Sequence, residues 1–368
     1  MTTIPLTRTR LVIFLYTLVV LVYSGQAVAE TTLSLSEVST RLEAYEQRIH
    51  DLEASLTLTE ASWNEYGEPD EGGPADCTHC CPGWTVSVDY LYWRAHRNDM
   101  GFAILDPGGL GVPSGGQPVM ALDYDWDSGV RVELARQTTS GWELSFRYTH
   151  FGAQDRAAFA PGGGQVLAVS SSPATGLTNA DSADAAAKLE MNLFDLEARH
   201  WLQPCDSILV GLSGGVRFGQ INQDLLVHYD GGAFTNGLVQ APVDLVGVGG
   251  RVGGETHWLI SDHFSLFGQA AVSLLAGNFE ASRREVNAGA VVIDASNDID
   301  RVVPIIELSM GGAIHRGPWT VTAGYELSNW FGQVAAVDFC DSFNGGSLDD
   351  GGRDLGFSGL FVRASFER

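Results

Sequence analysis

No run of this 368-residue chain reaches the ~18 consecutive apolar residues that a membrane-crossing helix needs, so any membrane span has to be made of strands. Basic side chains are scarce. Against 45 Asp and Glu there are 21 Lys and Arg, a formal charge of −24, and such a field repels phosphate backbones, which excludes nucleic acid as a partner. No nucleophile stands beside a base in a pattern that supports catalysis, and no spacing fits a metal or cofactor site, so neither an enzyme nor a cofactor is expected. What the chain has in quantity is glycine, 44 residues, unusual for a helical enzyme and ordinary for sheets joined by long connections.

Arg8 and Arg10 precede an apolar segment from Leu11 to Tyr23, and Ala27-Val28-Ala29 supplies small residues at a cleavage position, so residues 1–29 read as a signal peptide. Residues 30–63 follow as a short α-helical coiled coil, expected in the periplasm. Leu35, Val38, Leu42, Tyr45, Ile49, Leu52 and Leu56 fall at alternating spacings of three and four, and the stripe calls for a partner, most simply a second copy of the chain. Residues 64–83 form an acidic, cysteine-containing linker, with no Lys or Arg between 60 and 76.

From residue 84 the pattern changes to period two. Trp84, Val86, Val88, Tyr90 and Tyr92 alternate with Thr85, Ser87 and Asp89; Trp142, Leu144, Phe146 and Tyr148 alternate with Glu143, Ser145, Arg147 and Thr149. The run Met120–Ala135 splits in the same way, with Val130, Val132 and Leu134 opposite Arg131 and Glu133. Strands produce this periodicity. Seven further runs (194–202, 208–218, 246–260, 265–279, 303–314, 319–327 and 360–366) bring the count to ten.

Short turns near 137–141, 203–207, 261–264 and 315–318 alternate with long stretches at 96–119, 153–187, 222–242, 280–302 and 331–354. All the long stretches would emerge at one end. An even number of antiparallel strands with this asymmetry predicts an all-β fold, a transmembrane barrel of about 10 strands (8–12) over residues 84–368 in the outer membrane, with lipid as its surroundings. Trp84, Trp142, Trp258 and Trp319 would form a girdle at the short-turn rim, and Tyr92, Tyr148 and Tyr325 one at the far rim, whereas Trp201 falls on the inward face.

Of the five cysteines, Cys77, Cys80, Cys81 and Cys205 cluster at the short-turn end and are candidates for disulfides in an oxidising compartment. With His79 three of them could ligate zinc, but four ligands within five residues make a strained tetrahedron.

Asp89-Tyr90-Leu91-Tyr92-Trp93-Arg94, Gly129-Val130-Arg131, Trp142 through Phe151, Ser273-Leu274-Leu275, Gly324-Tyr325-Glu326 and Trp330-Phe331 resemble the Legionella-type major outer membrane protein family, in its planctomycete-like form. The resemblance covers most of 84–368 and leaves out the coiled coil. It implies a pore-forming outer-membrane barrel and supplies no catalytic residue.

If the apolar sides meet lipid, the lumen is lined by Asp89, Arg131, Glu133, Arg147, Glu197, Arg199, Arg217, Arg251, Glu255 and Glu326, together with Glu143, Asp195, Glu307 and Arg363. Such a lining suits a porin-like pore for small hydrophilic solutes or ions, with a weak cation preference set by 17 acidic and 6 basic residues in the long stretches. Paired charges can equally plug a barrel this narrow. The alternative is a closed structural or adhesive barrel whose extracellular loops bind a ligand.

Overall fold

The computed structural model describes residues 83–368 apart from 98–99, 108–118, 140, 163–164, 172–175, 334–336, 339–346 and 349–352. The expected signal peptide, the coiled coil and the linker cysteines Cys77, Cys80 and Cys81, with Cys340, lie outside the described residues.

Among the described residues seventeen strands follow one another: β1 (Trp84–His96), β2 (Gly101–Asp106), β3 (Val119–Ala121), β4 (Trp126–Gln137), β5 (Trp142–Phe159), β6 (Gln165–Leu167), β7 (Asn179–Ala180), β8 (Ser182–Cys205), β9 (Ile208–Gly231), β10 (Phe234–Gln240), β11 (Val243–Ser261), β12 (Phe264–Asn287), β13 (Ala290–Arg316), β14 (Trp319–Gln333), β15 (Val337–Asp338), β16 (Ser347–Leu348) and β17 (Arg353–Glu367). No helix occurs among the described residues. Ten of the strands form an antiparallel ring in the order β1-β4-β5-β8-β9-β11-β12-β13-β14-β17, and β17 returns to β1. Closure removes the unpaired edges that an open sheet would expose. β10 pairs with the far ends of β9 and β12.

The ring turns the period-two pattern inside out relative to a soluble protein. Outward apolar side chains are open, Tyr90 at 55% and Val252 at 55%, while the charged partners one residue away are buried, Asp89 at 1% and Arg251 at 4%. The four predicted rim tryptophans, Trp84, Trp142, Trp258 and Trp319, all stand exposed at the short-turn end. At the far rim Tyr92 stacks on Trp126 with ring centroids 5.3 Å apart. The outward apolar band ends abruptly. The cross-strand row Tyr148, Phe194, Phe218, Val248, Ala276, Val302 is its last continuous one; two residues further along each strand the row is His150, Asn192, Gln220, Asn278 and Asp300 with Val246 alone apolar, and four residues further it is Gly152, Glu190, Asn222, Asp244, Glu280 and Asp298. Burial, with the neighbouring Asp224 and Glu280 carboxylates, holds Asp244 above the ordinary Asp range.

Two expectations are corrected here. The stretches 153–187, 222–242 and 280–302 are strand over much of their length, because β5, β8, β9, β12 and β13 continue beyond the apolar band as a water-facing wall whose outward side chains are mostly polar. The turn joining β12 to β13 is only two residues, Ala288 and Gly289, both with positive φ (51° and 78°), the geometry that matches the twist of a hairpin. In addition, Met120–Ala135 is not one strand. β4 begins at Trp126 and β3 ends at Ala121, and Leu122 and Tyr124 are buried in the connection between them, with the Leu122 N–H donating to Met100 O and Arg94 Nε donating to Tyr124 O.

Inward glycines let the interior close. A Cβ on Gly359 would stand 2.3 Å from Tyr92 O and 2.8 Å from the Trp93 ring, so a side chain there displaces both. Gly359→Val is expected to destabilise the barrel by about 1–3 kcal/mol, read as a lower temperature at which the folded, fast-migrating form is lost in detergent gels; an unchanged temperature would refute the packing described.

Candidate functional site in the barrel lumen

The lumen is stacked in four levels. At the long-connection end, β2, β3, β6 and β7 form a four-stranded sheet in the order β3-β2-β6-β7. The connections β1–β4 and β5–β8 supply it, and the far ends of β9 and β12 hold it down. Tyr229 Oη donates to Phe102 O at 2.6 Å and accepts from the Ser170 N–H at 3.2 Å. Burial pushes the Tyr229 phenol up to about 12, so it remains a donor. Arg283 reaches Ser170 O and Glu285, and Glu285 accepts from Ser171 Oγ at 3.1 Å. The sheet is a cap.

Below the cap the inward faces are apolar: Leu91, Trp93, Phe151, Met191, Leu193, Leu275, Ile305, Trp330 and Phe357 are all buried. Trp93, Phe151 and Phe357 meet at centroid distances of 5.5, 6.2 and 5.7 Å, the last pair edge to face. These side chains form an apolar layer between the cap and the level beneath.

That third level is ionic. Eleven side chains alternate in sign along one unbroken chain: Glu326, Arg131, Asp89, Arg363, Glu133, Arg147, Glu197, Arg251, Glu307, Arg217, Asp195. Its links measure 2.8, 3.2, 2.8, 3.6, 3.1, 3.7, 3.2, 2.9, 3.0 and 2.6 Å. Nine of the ten ring strands contribute; β12, which presents Ser273 here, does not. Arg217 holds Asp195 through two parallel bonds at 2.6 and 2.9 Å, the fork geometry that makes guanidinium the suitable cation. Each charge buried beneath an apolar layer requires an opposite neighbour, and the alternation supplies one to every member.

The fourth level opens at the short-turn end as a polar chamber of about 260 Å³, with Ser87, Thr320 and Thr322 on its wall. A smaller group crosses it: Arg199 binds Glu143 at 2.9 Å and Glu255 at 3.7 Å, His257 pairs with Glu255, and Trp201 Nε1 donates to Glu143 at 3.2 Å. Trp201 faces inward, as its parity indicated. A void of about 40 Å³ lies next to the ionic chain; it is lined by Arg131, Arg147, Arg217, Arg251 and Arg363 against Asp195, Glu307 and Glu326, and by Trp93.

All fourteen lumen residues named from sequence therefore stand on the buried face. The structure divides them into the eleven-member chain and the lower group of Glu143, Arg199 and Glu255. Sequence reasoning missed the cap anchors Tyr229, Arg283 and Glu285 and the inward Trp93 and Trp330. Carrying the inward parity of Ser273 and Leu275 past Phe279 reaches Arg283 and Glu285, so that signal was present. Cys205 is exposed at the end of β8, its Sγ 3.7 Å from Ser207 Oγ. His150 bonds Asn192 on the outer wall, and His228 lies 3.5 Å from Asp184.

The ionic chain makes a direct forecast. Arg217→Met leaves Asp195 buried without its main partner and is expected to cost about 3–5 kcal/mol, whereas Arg217→Met with Asp195→Leu recovers at least half. Urea unfolding from micelles measures both, and an additive double variant would show that the pair is not coupled.

A closed antiparallel ring with an apolar exterior, aromatic rims and a charged interior defines a transmembrane β-barrel of the outer-membrane kind. Residues 78–367 match the model of the family described as Legionella pneumophila major outer membrane protein precursor, and the chain belongs to that family. The resemblance read from its motifs is thus borne out, and the outer membrane is its compartment. No curated protein sequence matches the chain. Among solved structures it is similar to the outer membrane protease OmpT from Escherichia coli, at 9% identity, 81% of this chain, 98% of that chain and a TM-score of 0.46. It is also similar to the translocator domain of the autotransporter NalP from Neisseria meningitidis, at 11%, 92%, 99% and 0.39, and to OprG from Pseudomonas aeruginosa, at 11%, 77%, 96% and 0.28.

Proposed function

We propose that this protein is a closed, non-enzymatic outer-membrane barrel that works through its capped, long-connection end, and not an open diffusion pore. The observation that carries the proposal is the stacking of the lumen: ionic chain, apolar level and cap lie in series, and a solute would have to part all three. The extended walls of β8, β9, β12 and β13 add a tall water-facing surface of the kind that loop-borne ligand recognition uses.

The porin-like reading for small solutes has one observation in its favour, the polar chamber at the short-turn end, which resembles half a channel. Conductance separates the two. Refolded protein in planar bilayers is expected to give no unitary current under a salt gradient; regular, cation-selective steps would restore the pore.

The short-turn end is assigned to the periplasm, where a coiled coil preceding β1 would join copies of the chain, and the capped end to the cell exterior. Lys188 is the only lysine of the chain and lies exposed on the outer wall of β8, beyond the apolar band. A membrane-impermeant amine reagent applied to intact cells is expected to modify Lys188; labelling that requires a permeabilised envelope would invert the orientation.

A further inference from the structure

The lower lumen holds two neighbouring voids of opposite electrical character. Five arginines and three carboxylates line the inner one, of about 40 Å³. Five carboxylates and three arginines line the chamber below it, of about 260 Å³. Arg131, Gln269, Ser309, Glu326 and Arg363 line both, so the two adjoin. Toward the cap the inner void ends against Trp93, Met191, Leu193 and Phe357.

Four donors on residues lining the inner void make no hydrogen bond, Trp93 Nε1, Arg217 Nη1, Arg251 Nε and Arg251 Nη1; Arg217 Nη1 and Arg251 Nε still lie 3.0 and 3.2 Å from the Glu307 and Glu197 carboxylates, which leaves Trp93 Nε1 and Arg251 Nη1, on residues that are each 4% exposed. They stand on β1 and β11, which lie five strands apart whichever way the ring is followed and therefore on facing walls. A buried donor left unpaired costs as much as a lost hydrogen bond, so this arrangement calls for an acceptor between them. The void has room for about three water-sized groups, the bulk of one carboxylate.

A free anion satisfies these donors but has to pass the acid-rich chamber to reach them. A free cation suits the chamber and leaves the donors unmet. A molecule carrying both charges, with its carboxylate inward and its ammonium group facing the chamber, meets both requirements without adding net charge to the lumen. We propose that the lower lumen binds a small zwitterion of the amino-acid class, its carboxylate accepting from Trp93 and Arg251 and its ammonium group resting against Glu326, with Glu255 and Glu143 further out. The site needs only the chamber and the donors, so it stands whether or not the barrel conducts.

Ligand-observed magnetic resonance or titration calorimetry on the full-length protein refolded in micelles tests this with three probes of similar size: glycine, acetate and methylamine. Glycine is expected to bind about tenfold more tightly than either singly charged probe, the worth of one charge-assisted hydrogen bond. Trp93→Phe keeps the ring and removes the N–H; it should weaken glycine and leave methylamine unchanged. Glu326→Gln should weaken glycine and methylamine and leave acetate no weaker. Gel migration of the unheated protein verifies that each variant is folded. Absence of saturable glycine binding, which would leave water alone in the void, overturns the proposal. Equal binding of methylamine, marking the chamber as a plain cation trap, overturns it too, as does glycine binding that Trp93→Phe does not alter.

Discussion

The constraint on which this molecule turns is the cost of holding charge inside a ring of strands whose other face is given to lipid. Period-two alternation sends every second side chain inward, and a chain rich in Asp, Glu and Arg thereby places ions where water is excluded. A lone buried ion is untenable there. The eleven-member chain from Glu326 to Asp195 is the response: each guanidinium is shared between two carboxylates, and the sharing stitches nine strands together across the lumen. Arginine suits this place because its planar fork makes two bonds at once and keeps its charge, as at Asp195 and Asp89.

That arrangement shapes the levels above and below. Beneath the ionic chain the lumen is polar and open, lined by hydroxyl and charged side chains. Above it, the inward positions change to Leu, Phe, Trp and Met, and small residues opposite them, such as Gly359, leave room for the large rings. The apolar level in turn shields the ionic one from the cap side, which strengthens every pair within it. The cap is held by a second, smaller polar cluster, Tyr229 with Arg283 and Glu285, so both closures of the barrel rest on buried polar groups that find partners across strands remote in sequence.

The outer wall has two media along one strand. Up to Tyr148, Phe194, Phe218 and Val248 the outward positions are mostly apolar or aromatic; beyond them, Val246 and Leu226 apart, they carry mostly Asp, Glu, Asn, Gln and Lys. The strand itself does not stop there. This is why polar stretches such as 222–242 and 280–302 read as loops in the sequence: once both faces of a strand are weakly hydrophobic, or the outward face meets water, the alternation that identifies it fades while backbone pairing persists.

Much of the architecture was legible in the primary structure, because parity is local: a residue's neighbours two positions away reveal which face it occupies, and short turns against long connections reveal the ends of a barrel. That reasoning placed Asp89, Arg147, Glu197 and the inward Trp201 on the correct face with no partner in view. Register is not local. Which carboxylate meets which guanidinium, that Leu122 and Tyr124 leave the barrel wall for a cap, and whether the interior is open or filled all depend on how strands distant in sequence slide against one another. Only the closed ring brings Glu326 to Arg131, 195 residues away, and it does so because buried opposite charges and backbone hydrogen bonds are satisfied together in one alignment.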